Sequence, residues 1–173
     1  MITGNIKFQN SLKLRPMSAS DNAFIEGLYK STRDDLRMLQ ADDEFVEALI
    51  DFQRHAQIQG YGEMFPNAMY FIAEHQGEPV GRLVLDFGQN DICVVDIALI
   101  PAARGKGYGR QMLQVVQLAA SKVRMPVVLS VRFDNLNAKA LYAGLGFVAE
   151  QAGMPFERLV WYPPASGTHG GIG

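Results

Sequence analysis

The run Asp96-Ile97-Ala98-Leu99-Ile100-Pro101-Ala102-Ala103-Arg104-Gly105-Lys106-Gly107-Tyr108-Gly109 concentrates the residue types that hold an anion. An apolar strand enters a short loop in which Arg104 and Lys106 stand among glycines, and an amphipathic helical pattern begins at once afterwards. Glycine lets successive backbone N–H groups converge on one point, a helix start adds about half a positive charge, and the two cations supply full ones. A diphosphate suits all three features. The triphosphate-loop pattern of Gly, four residues and Gly-Lys-Ser/Thr fails, because Gly105-Lys106 is followed by Gly107. The dinucleotide pattern Gly-x-Gly-x-x-Gly fails as well, because position 110 is Arg110. Glycines at a turn into a helix also arise for steric reasons alone, so this loop needs a second feature beside it.

That feature is Asn135-Leu136-Asn137-Ala138-Lys139-Ala140-Leu141-Tyr142-Ala143-Gly144-Leu145-Gly146-Phe147, which lies past the next apolar strand. Arg104, Gly107 and Gly109 match Arg/Gln-x-x-Gly-x-Gly, and the later run matches an Asn, Ala, Leu-Tyr, Gly-Phe pattern. Together and in this order they resemble the GNAT family of N-acetyltransferases. The resemblance covers roughly residues 69–149, whereas residues 6–66 match only in offering a strand and two helices. It implies an α/β (α+β) fold whose mixed, mostly antiparallel central sheet is flanked by helices on both faces. It also implies one acetyltransferase domain over residues 1–162, with residues 163–173 as a tail, and acetyl-CoA as co-substrate. In such a domain the N–H groups from Gly105 to Arg110, with Arg104, Lys106 and Tyr108 in the same loop, hold the pyrophosphate. The backbone of Ile97, Ala98 and Leu99 pairs with the pantetheine arm like an added strand. Asn135, Ala138 and Tyr142 line the same groove, and the central strand splays from its neighbour to open it.

The implied reaction is direct attack of an unprotonated amine on the thioester carbonyl, with a backbone donor near Leu99 stabilising the oxyanion. Tyr142, an acid of ordinary pKa about 10, is placed to donate to the departing thiolate; packing under the last helix is its other reading. Asp96, a carboxylate in an otherwise apolar strand, is the candidate to accept the ammonium proton; it can equally fix a neighbouring loop by hydrogen bonds. Cys93 would need a covalent acyl-enzyme, which direct transfer does not use, and it reads better as a small buried hydrophobe.

The acceptor side falls to the first two helices. Tyr29, Thr32, Arg33, Gln53, Gln57 and Tyr61 are its candidates, and Gln53, Gln57 and Tyr61 share one helical face. Asp34, Asp35, Asp42, Asp43 and Glu44 could draw in a cationic amine, although acids near helix starts are also ordinary dipole partners. His55, His75 and His169 are scattered without ligand spacing, so no metal is expected.

The elements that must position these residues follow from periodicity. Leu12 and Leu14 mark a first strand. Ser18, Ser20 and Asp21 supply cap oxygens for a helix through Phe24, Ile25, Leu28 and Tyr29, and Phe45, Leu49, Phe52 and Ala56 face one way on a second helix. Strands follow at residues 69–75, after a Gln76-Gly77 turn, and at Ile92 to Leu99; a helix runs from Gly107 to Pro126. A strand at 127–131, a short helix at 137–143 capped by Gly144, and two returning strands from Phe147 and Phe156 complete the order. With 48% hydrophobic and 20% charged residues, the chain of 173 residues has the make-up of one self-folding domain. A net charge of −2 provides no global field for nucleic acid or an anionic membrane, and the run Ile92 to Ile100 is too short to cross a bilayer. Met1 to Asn10 lacks the pattern of a secretory signal, and a single cysteine cannot form an internal disulfide; a cytoplasmic enzyme is expected. Its partner is an amine-bearing small molecule or peptide, and a homodimer is left open. The competing reading is a module that keeps the CoA groove for sensing or regulation without turnover.

Overall fold

The computed structural model describes residues 12–32 and 66–165. Seven strands form one sheet: β1 (Leu12–Pro16), β2 (Ala68–His75), β3 (Glu78–Phe87), β4 (Ile92–Leu99), β5 (Val127–Arg132), β6 (Val148–Gln151) and β7 (Phe156–Trp161). Three helices accompany it: α1 (Asn22–Thr32), α2 (Tyr108–Val123) and α3 (Leu136–Gly144). The expected second helix through Phe45 to Ala56 lies outside the described residues.

The order across the sheet is β1-β2-β3-β4-β5-β7-β6, and only β4 and β5 run parallel. Gln76 and Gly77 both take positive φ, 53° and 80°, which gives the β2–β3 hairpin a turn whose twist matches its strands. α2 ends at a left-handed Arg124, ahead of Pro126. α3 ends differently from expectation: Gly144 is still helical, and Gly146, at φ 93°, takes the left-handed position while the Phe147 N–H reaches back to the Tyr142 carbonyl at 3.0 Å.

Both faces of the sheet are covered. On one, Leu83, Leu85, Ile92, Val94, Val127 and Leu129 pack with Met112, Leu113, Val116 and Ala120 of α2. On the other, α1 lays buried Ile25, Leu28 and Tyr29 over β3 and β4. β3 is therefore buried from Val80 to Leu85 without a break, Arg82 included. Two local irregularities shape β4. Val84 pairs with Asp96 but Leu85 with Val94, so Val95 is an extra residue bulged out of the ladder. Gly81 meets β4 so closely that a Cβ there would lie 2.5 Å from the Ala98 carbonyl oxygen.

At the opposite edge Arg15 ties β1 down. Its guanidinium grips Asp21 through two nitrogens, at 2.7 and 2.8 Å, and also bonds Glu74 on β2. The Arg15 bonds, with the Ser18 N–H at 2.8 Å, hold the Asp21 carboxyl well below the usual carboxylate range. A group depressed in the folded state contributes in full above its unfolded pKa of about 3.9 and loses that contribution as pH falls through the lower folded value. Asp21→Asn is therefore expected to lower Tm at pH 7, with the gap to the parent narrowing below about pH 4. Thermal melts across that range measure it, and a gap that stays constant would remove Asp21 as the titrating group.

Candidate active site

Strand pairing opens the site. β4 and β5 are joined only through Ile92 with Val127, Cys93 with Val128 and Val94 with Leu129, although β4 continues to Leu99 and β5 to Arg132. The parting begins at the Val95 bulge. Beyond it, the Ile100 N–H donates to the Val80 carbonyl at 2.9 Å, on the β3 side. Strand alternation then turns the N–H and C=O of Ile97 and Leu99 the other way, into the cleft. The Leu99 carbonyl accepts from Arg104 Nε at 3.2 Å. An open strand edge of this kind is a template for another extended chain.

The loop after β4 faces the same cleft from above. A short turn at Pro101–Ala103 delivers the chain to Gly105 and Gly107, which take φ of 74° and 83°, and no protein atom lies within 4 Å of a Cβ built at either. The first bond of the α2 ladder runs from the Gln111 N–H to the Gly107 carbonyl at 3.1 Å, so the N–H groups of Tyr108, Gly109 and Arg110 precede it. No acidic residue stands in that first turn, while Arg104, Lys106 and Arg110 are exposed around it. The geometry fits a diphosphate: open space, spare amides and uncompensated positive charge. The Tyr108 ring is not part of the cradle, because it is buried and stacks at a tilt on His75, 5.1 Å between centroids. Only its backbone serves the loop.

Tyr142 is buried on α3 against Phe147. Burial, and then the Asp96 charge, push its phenol above the ordinary value, and no described residue accepts a bond from its hydroxyl. The phenol is thus held in its neutral form with its hydrogen uncommitted among the described residues. Asp96 is ion-paired with Arg82 of β3, a partner not anticipated from sequence. The signal was available: one arginine and one aspartate interrupt neighbouring apolar strands, and the intervening hairpin brings them side by side. Asn135 caps α3, its Oδ1 accepting from the Ala138 N–H at 3.2 Å, and Ala138 packs against the core. Cys93 is half-buried, and burial followed by Asp91 and Asp86 push its thiol up to about 11, which removes it as a nucleophile at neutral pH. Of the acceptor candidates, Tyr29 is buried on α1; Arg33, Gln53, Gln57 and Tyr61 lie outside the described residues. Among the described residues no group of His, Cys, Asp or Glu is arranged to hold a metal ion, and no helix is long and apolar enough to cross a membrane.

The profile of the acetyltransferase (GNAT) family matches residues 25–147, which takes in β2 through α3 with the loop and the cleft. The chain belongs to this family. Its fold is similar to a PaiA N-acetyltransferase from Thermoplasma acidophilum solved with coenzyme A, at 15% identity, TM-score 0.65, and coverage of 88% of this chain and 99% of that one. It is similar as well to a spermidine N-acetyltransferase from Vibrio cholerae solved with CoA and spermine, at 20% identity, TM-score 0.60, and coverage of 87% and 95%. A nucleotide-linked sugar GNAT, FdhC, aligns at 17% identity and TM-score 0.63, over 88% of this chain and 87% of that one. No curated protein matches the chain by sequence.

Two outcomes follow for the GNAT loop and strand. Gly107→Val places a β-branched residue at positive φ in the open cradle, and CoA affinity measured by calorimetry is expected to fall about tenfold or more, against a smaller, salt-dependent loss for Lys106→Ala. A folded Gly107→Val protein with parental affinity would remove this loop as the diphosphate site. Gly81→Ala must push the Ala98 carbonyl aside, so both Tm and CoA affinity are expected to drop; an unchanged Tm would show that β4 yields freely.

Proposed function

We propose that this GNAT domain transfers an acetyl group from acetyl-CoA to a primary amine by direct attack in a ternary complex. The single observation that carries this reading is the cleft: an unpaired β4 edge from Val95 to Leu99 that begins beside Asp96 and ends at the amide-rich start of α2. Gly105 to Arg110 hold the pyrophosphate, and the backbone of Ile97 and Leu99 pairs with the pantetheine amides. Bound acetyl-CoA supplies an activated thioester. Asp96, directly or through water, accepts the proton of the entering ammonium. The free amine then attacks the carbonyl carbon, the C–N bond forms as the C=O π pair moves to oxygen, the Leu99 N–H stabilises that oxyanion, and the nitrogen releases its second proton to solvent as the oxyanion collapses. As the C–S bond breaks, Tyr142 donates a hydrogen bond to the departing sulfur. A phenol is a weaker acid than a thiol, and burial weakens this one further, so Tyr142 stabilises developing charge and the thiolate takes its proton from solvent.

Solved relatives with as little as 17% and 20% identity include sugar-linked and polyamine enzymes, so the amine does not follow from the fold. Release of free thiol from acetyl-CoA against a panel of spermidine, tyramine, glucosamine and a peptide with a free N-terminus tests the reading. Turnover with intersecting double-reciprocal plots supports direct transfer. CoA binding without thiol release on any of these amines, or on a wider set, would favour a sensor that keeps only the groove.

Tyr142→Phe keeps the ring and its packing but deletes the donor. It is expected to lower kcat by about a hundredfold to a thousandfold, the cost of deleting one hydrogen bond to charge that develops in the transition state, with Tm and CoA affinity nearly unchanged. Retained kcat would show that the departing sulfur is stabilised without Tyr142.

A further inference from the structure

Arg82 is 7% exposed in the middle of β3, between its cross-strand neighbours Ile72 of β2 and Ala98 of β4. Its Nη2 bonds Asp96 Oδ2, and its Nε is buried without a hydrogen-bond partner among the described residues. Among the described residues Asp96 is thus the only anion that compensates this cation. A charge buried so deeply is strongly unfavourable unless paired, and an apolar strand has no packing need for one. The pair is asymmetric: the Arg82 side chain is 8% exposed and that of Asp96 22%, so the cation sits inside and the carboxylate faces outward. Asp96 also follows Val95, the bulged residue at which β4 leaves β5, and its charge is felt by the Tyr142 phenol. Cation, carboxylate and phenol therefore converge on the point where the cleft begins.

We propose that Arg82 is a positioning residue for acetyl transfer: it fixes Asp96 as an oriented anion at the mouth of the cleft, leaving Oδ1 to receive the ammonium proton. This rests on Asp96 being the proton acceptor. The proton passes from the ammonium nitrogen to Asp96, directly or through water, and then to solvent, while Arg82 exchanges none. Among the described residues, the Tyr142 phenol of α3 feels the Asp96 charge, α1 buries Ile25, Leu28 and the titratable Tyr29 over β3 and β4, and the cross-strand partner on β3, Val84, is apolar.

The test is the pH dependence of kcat at saturating acetyl-CoA, with whichever panel amine turns over fastest, in Arg82→Met, Arg82→Lys and Asp96→Asn. In Arg82→Met the carboxylate loses the cation that holds it, so the rate loss is expected to be about tenfold or more at acidic pH and small at pH 9. Arg82→Lys keeps the charge and is expected to keep the rate at acidic pH, and the KM for acetyl-CoA stays within about twofold in both. A loss by the same factor at every pH, or one confined to the KM for acetyl-CoA, overturns the proposal and leaves Arg82 a packing role. Parental kcat and acid limb in Asp96→Asn would instead overturn Asp96 as the acceptor, whatever Arg82 does. If Arg82→Met yields no folded protein, Arg82→Gln, which keeps a donor without the charge, is read by the same criteria.

Discussion

A backbone hydrogen bond that is not made governs this molecule. In the interior of the sheet β4 pairs with β5 only as far as Val94, and from there to Leu99 no strand pairs with its β5 side. Such a gap in the interior of a sheet is unfavourable unless something fills it, because unpaired peptide groups shut away from water lose their hydrogen bonds. The chain keeps the gap by two local devices. An extra residue at Val95 kinks β4 away from β5, and a glycine at position 81 lets β3 hold the kinked strand against itself. The glycine-rich loop then lies where β4 ends, ahead of the start of α2.

Charge is arranged around the same gap. The loop end is positive without compensation, since no acid enters the first turn of α2, and the opposite end is neutral overall because Arg82 offsets Asp96. Among the described residues the positive loop forms one end of the cleft; at the other, Arg82 holds Asp96 from behind, and burial and that carboxylate push the Tyr142 phenol up. These are short-range effects in a half-buried setting, where screening by salt is weak.

Much of this was legible in the residues because the physics that fixes it is local. Gly105, Gly107 and the cationic loop announce themselves through turn chemistry and helix-end electrostatics, and Gln76-Gly77 through its place between two apolar runs. What was illegible depends on distant parts of the chain. Alternation along β3 sets Arg82 among Val80 and Val84, and only the burial of both faces reveals that it needs a partner from another strand. The Val95 bulge leaves no mark in composition, and the left-handed position falls at Gly146 rather than Gly144, where a Cβ would press on Trp161 of distant β7. The acceptor wall expected from Arg33, Gln53 and Gln57 lies outside the described residues.

The interleaving of β7 between β5 and β6 bears on how the molecule comes into being. β5, the far wall of the cleft, shares six paired positions with β7 and only three with β4. Its placement therefore owes more to the strand synthesised last than to the one beside it in the groove. A chain emerging from the ribosome can close the β2 to β4 meander early, since those hairpins join adjacent segments, whereas the β5 wall gains its longer pairing only once β7 has been made. Completion of the groove is then a later event than closure of those hairpins, because pairing β5 with β7 across α3 carries a loop-closure entropy that tight hairpins avoid.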